Sequence, residues 1–144
     1  MTRKVPPTLD DHRLIAAILH TVHDEIICIH VDLANLLGKS HRASVRAGRA
    51  AKEVSAARSE LEEVLYRDCR SDFDTRVYYP GVAPERAELT DLGEITKALF
   101  ECEHGVNDVL GRLWKALPVK SLPVRCLEKA RDALGAARSP LFDR

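Results

Sequence analysis

Three histidines near the start of the chain are the first candidates for chemistry. His20 and His23 stand one helical turn apart, and Asp24 lies within i,i+4 reach of His20. Two imidazoles and a carboxylate at that spacing could share a metal ion or grip a small polar ligand. His30 would lie about 10 Å further along a helix, too far to join the same ligand shell. A site of this kind in a bundle also needs a ligand from a facing helix. The plainer reading makes the histidines a core boundary satisfied by hydrogen bonds. A third makes them a pH-dependent interface, because protonating imidazoles beside apolar packing weakens it.

A second candidate is Glu101-x-x-His104, the spacing used in di-iron bundles. Here His104 sits about 200° from both Cys102 and Val106, at about 100° per residue, so it points away from the apolar seam. No second Glu-x-x-His occurs, and Lys97, Glu101, His104 and Asp108 read as one solvated face. The third candidate is basic: Lys39, His41, Arg42, Arg46, Arg49 and Lys52 open the second helix, with Arg42, Arg46 and Arg49 on one face. Cations there oppose the helix dipole and ask for an anion. Asp32, or the cluster Glu85, Glu88 and Asp91, could supply it internally. A phosphate of a nucleotide or nucleic acid would be the functional alternative.

The fourth candidate is the aromatic and basic stretch Phe73, Arg76, Tyr78 and Tyr79, flanked by Arg70 and Arg86. Tyr and Arg are favoured at binding hot spots, so Arg76, Tyr78 and Tyr79 are the interaction candidates. The tyrosines could equally seal the edge of a core. Gly38-Lys39-Ser40 is no phosphate loop, because Leu33 stands where the first glycine belongs and no strand precedes it. No Gly-x-Ser-x-Gly elbow is present. With no recognisable catalytic set, a non-enzymatic role is favoured.

The elements that must position these residues are helices. Ile15, Leu19, Val22, Ile26, Ile29, Leu33 and Leu36 recur at 4-3 spacing and form an apolar seam. One residue further round, Ala16, His20, His23, Ile27, His30, Ala34 and Leu37 make a second stripe bordering the first. The first helix is expected from Thr8, whose capping box uses Asp11, to Leu37, with Gly38 beyond its end. The second runs from about His41, capped by Ser40, to Arg67. Its seam is Ala43, Ala47, Ala50, Val54, Ala57, Leu61 and Val64, alanine-only in its first half. A third helix is expected from Thr90 to Leu117, with Leu92, Ile95, Leu99, Cys102, Val106, Val109 and Leu113 inward. The fourth and shortest begins near Ser121, carries Leu127, Ala130, Leu134 and Ala137, and is bounded by Pro140.

This pattern predicts an all-α fold. It is a four-helix bundle of two antiparallel helical hairpins, three long helices and one shorter, within a single domain over 8–138. Residues 68–89 form the long connection. In it Val77-Tyr78-Tyr79 could be extended and Tyr79-Pro80-Gly81 a turn. No internal repeat is strong enough to mark a duplication.

At 144 residues the chain suits one domain. Its 22 basic and 22 acidic side chains cancel, so no overall field draws it to nucleic acid or an anionic membrane. The longest apolar run, Leu14–Leu19, is too short to span a bilayer, and no signal peptide opens the chain. Cys28, Cys69, Cys102 and Cys126 lack C-x-x-C spacing and read as free, buried thiols of a reducing, cytoplasmic setting. The excess of arginine over lysine suits a GC-rich, bacterial genome. The sequence favours a protein that acts by protein–protein association, as a dimer or with a partner, without a cofactor. A metal or small-molecule site at His20, His23 and Asp24, and an anion or nucleic-acid site at Arg42, Arg46 and Arg49, are the alternatives.

Overall fold

The structure, a computed structural model, describes residues 5–72, 74–80 and 86–142. They form four α-helices and no strand, an arrangement compatible with a helical bundle. Helix α1 spans Leu9–Leu37, α2 Arg42–Asp68, α3 Leu92–Ala116 and α4 Leu122–Phe142. Between α2 and α3 lie two short 3-10 turns, Arg70–Asp72 and Thr75–Val77, the second standing where an extended piece is expected. Phe73, Gly81 and Glu85 lie outside the described residues.

Local chemistry sets the helix ends. Thr8 is extended, its hydroxyl accepts from the Asp11 amide, and the Asp11 carboxylate accepts in turn from the Thr8 amide. The α1 helix stops at Gly38, whose φ of 96° is one a side chain would strain, and whose N–H reaches Ala34 O. At the two following starts the cap falls one residue later than expected. His41, not Ser40, caps α2, its Nδ1 accepting from the Ala43 amide. Asp91, not Thr90, caps α3, its carboxylate accepting from the Gly93 amide at 2.9 Å.

Helix α4 does not end before Pro140 but passes through it to Phe142. A proline in a helix leaves the carbonyl four residues earlier without its donor. Here that carbonyl belongs to Ala136, and Arg46 Nη1 from α2 donates to it at 2.9 Å. The guanidinium replaces the missing backbone bond, so the helix continues.

Helix α1 packs on α2 and α3, and α4 packs on the same two. The α1 seam from Ile15 to Leu33 is buried throughout, whereas Leu36 is exposed. The seam alanines of α2, Ala43, Ala47, Ala50 and Ala57, are fully buried, which lets the α1 and α4 backbones come close. By length and hydropathy α1 would also suit a membrane span; here its seam is covered by α2 and α3.

Burial exposes a correspondence that residue identity hides. Buried Ile15, Leu19, Val22, Ile26, Ile29 and Leu33 recur 80 residues on as buried Ile95, Leu99, Cys102, Val106, Val109 and Leu113. Ala47, Ala50, Val54, Ala57 and Leu61 recur as Leu127, Ala130, Leu134, Ala137 and Leu141. The string Ala56-Ala57-Arg58-Ser59 returns unchanged as Ala136-Ala137-Arg138-Ser139.

Candidate functional site

The histidine stripe of α1 faces α2 and the segment that follows it. His20, His23 and Asp24 come together as their spacing predicts. His20 Nε2 lies 3.3 Å from Asp24, and His23 Nδ1 lies 3.8 Å from it. All three are half-buried. Arg58 of α2 stands on the other side of His20, its Nη2 3.5 Å from His20 Nδ1. Among the described residues no three His, Cys, Asp or Glu side chains form a group that could hold a metal ion. His30 turns away to the Ser44 carbonyl at 2.8 Å.

Arg58 is the centre of the arrangement and is only 6 % exposed. Its Nε and Nη2 both donate to the Tyr78 carbonyl, the Nε bond measuring 3.2 Å. Its guanidinium lies over the Tyr79 ring, 4.8 Å from the centroid. No carboxylate lies within ion-pair distance of it among the described residues. Tyr78 itself is fully buried, with its hydroxyl 2.7 Å from Nδ1 of His12 and the two rings edge to face. Burial keeps the Tyr78 phenol protonated far above its usual range. The phenol O–H and His12 Nδ1 share one hydrogen bond, whose donor is set by the imidazole tautomer. Burial likewise lowers the His12 pKa, and it lowers that of His23, where the Arg58 charge adds to the effect.

Sequence reasoning missed His12 and Arg58. His12 falls three residues before Ile15, outside the histidine spacing. Arg58 follows the α2 seam directly and reads as a solvated flank. The repeated Ala-Ala-Arg-Ser string was the signal available for Arg58.

Arg76, Tyr78 and Tyr79 have separate roles. Tyr78 is core; Tyr79 is 41 % exposed; Arg76 is exposed and closes on Asp74 at 2.8 Å. Outside Tyr78, an open cavity of about 670 Å³ is lined by Arg13, Ala16, His20, Thr21, Arg76 and Pro80. Further along, Arg86 binds Glu25 at 2.9 Å and buried Asp32 at 3.0 Å, and Glu88 accepts from Asn35. Of the anions suggested as partners for the α2 arginines, Asp32, Glu88 and Asp91 are thus engaged elsewhere, and Arg46 is spent on α4. Arg42 and Arg49 are exposed.

His104 and Glu101 are exposed, as their angle on the helix predicts. None of the four cysteines forms a disulfide among the described residues, only Cys102 is buried, and burial pushes its thiol up to about 12. Comparison of the chain with protein-family models, characterised proteins and solved structures finds no match.

Proposed function

We propose that the protein works by association, with a second copy or with a partner protein, and not by catalysis. One observation carries this reading: the second stripe of α1 is covered at one end and open in the middle. Ala16 is buried and His20 and His23 are half-buried near Tyr78, whereas Ile27 in the stripe and Val31 one turn on are 43 % and 50 % exposed. Single exposed aliphatics are ordinary. A pair one turn apart on a core helix, with α4 seated on α2 and α3, supports a face that another surface covers. The finer architecture we infer is two antiparallel hairpins, α1–α2 and α3–α4. Contacts of Tyr78 with His12 and of Glu88 with Asn35 support a connection that runs the length of α1.

Native mass spectrometry, with light scattering across concentration, tests the reading and reports any retained ligand. The expected result is a dimer or a retained partner, lost when Ile27 and Val31 are both replaced by Asp. A strictly monomeric protein overturns the self-association form. The cavity over His20 supports a second reading, a small-molecule site. Replacing His20 and His23 with Ala would abolish retention of any small molecule, and unchanged retention would exclude that site.

A further inference from the structure

We propose that Tyr78 and His12 form a pH-released latch that holds the segment after α2 against α1. The latch has two anchors on one residue. The Tyr78 hydroxyl is held by His12 of α1 and its carbonyl by Arg58 of α2. Both anchors are buried.

The geometry makes the first anchor sensitive to a proton. Nε2 of His12 is buried with no hydrogen-bond partner. A protonated His12 carries N–H groups at both nitrogens. The Nε2–H would sit in the core without an acceptor, the Nδ1–H would claim the phenol oxygen, and the ring would carry its charge out of reach of water. Water reaches that charge only if the segment over His12 lifts away, which breaks the Tyr78 contact. The charged groups around the latch do not reverse this. Asp11 on α1 and Asp68 at the end of α2 favour a proton on His12, but burial outweighs them. Cys69 opposes ionisation of Tyr78. Arg58 brings a fixed positive charge to the other side of Tyr78, with His20 and His23 beside it and Asp24 the nearest carboxylate to those imidazoles.

The second half of the chain acts as an internal reference. At the 80-residue correspondence His12, His20 and His23 match Leu92, Phe100 and Glu103. Arg58 matches Arg138, which pairs with Glu103 at 2.7 Å and lies 5.0 Å from the Phe100 ring centroid. The arginine is thus kept in both halves, but in the second it meets a carboxylate and a phenyl ring. In the first the carboxylate is a histidine, and the guanidinium is left to take a backbone carbonyl from the segment that crosses it. The three histidines occur only in the half that carries that segment.

Release uncovers Arg58, His20 and His23 along the α1–α2 groove, beside the face assigned above to association. That consequence rests on the association reading; the latch itself does not.

Hydrogen exchange of the full chain, corrected for the intrinsic effect of pH, tests the latch at pH 7.5 and 5.5. Protection of peptides covering residues 74–80 is expected to fall about tenfold on acidification, the factor set by one unit of proton binding. Peptides from α3 and α4 should keep theirs. In His12→Gln, which offers Tyr78 a neutral acceptor, the response should vanish. In Tyr78→Phe, protection of 74–80 should be low at both pH values. Unchanged wild-type protection, loss from all helices together, or a pH response retained in either variant would overturn the latch. Mass by light scattering at the same pH values reads the association separately, so failure of one is not failure of the other.

Discussion

At the scale of single residues, the most vulnerable dependencies are half-buried or buried groups with one partner. Arg46 is the clearest. Its guanidinium completes the backbone of α4 where Pro140 cannot. Arg46→Ala is expected to leave the Ala136 carbonyl without a donor and to cost about 1–3 kcal/mol. Urea unfolding at neutral pH measures it. The double variant with Pro140→Ala should recover most of the loss, because an alanine amide restores the helical bond; no recovery would mean Arg46 acts otherwise. Gly105 depends on space instead. A Cβ there would stand 2.6 Å from Val22 Cγ2, where α3 crosses α1. Gly105→Ala should therefore destabilise by about 1–3 kcal/mol despite the better helix propensity of alanine, and Val22→Ala should relieve it. Little of this was legible in the sequence. An arginine beside a helix seam looks solvated until the carbonyl it serves is placed, and that carbonyl lies 90 residues away.

At the scale of elements, far more could be read. Seams at 4-3 spacing marked the four helices, because burial on one side of a helix imposes that period directly. The ends were less legible where several polar residues compete for one cap. Ser40 and His41, or Thr90 and Asp91, are all able to accept from an amide, and the backbone turn chooses between them. Thr8 had no such rival, and its box with Asp11 formed as expected. Thr8→Ala should cost about 1 kcal/mol, measurable as a lowered unfolding midpoint. The alanine seam of α2 makes an opposite demand. Ala47 and Ala50 are fully buried where α2 meets its neighbours. Ala50→Leu should destabilise by about 1–3 kcal/mol through overpacking, although leucine is the more apolar residue. The candidate site was half legible for the same reason. His20, His23 and Asp24 share one helix, so their spacing sufficed; Arg58 and Tyr78 reach them from other elements.

At the scale of the whole molecule, buried His12 and half-buried His23 tie stability to pH. Burial lowers the pKa of His12, and burial with the Arg58 charge lowers that of His23. In the unfolded chain both imidazoles return to about 6.5. Above that value neither state carries the proton, and the stability associated with these groups is complete. As pH falls through it, the unfolded chain takes up protons that the folded chain resists, so stability declines. The slope for each group is at most about 1.4 kcal/mol per pH unit, and the decline ends only at the depressed folded values. Asp11 and Asp74, whose pKa values are shifted down by their hydrogen bonds, do not oppose this decline. Urea midpoints at pH 7.5, 6.5 and 5.5 should therefore fall steadily, and the fall should be shallower when His12 and His23 are both replaced by Gln. A midpoint that holds from pH 7.5 to 5.5 would show that these imidazoles accept protons in place. The core boundary on α1 would then tolerate charge, and its histidines would be no more than surface residues drawn inward by the connection that crosses them.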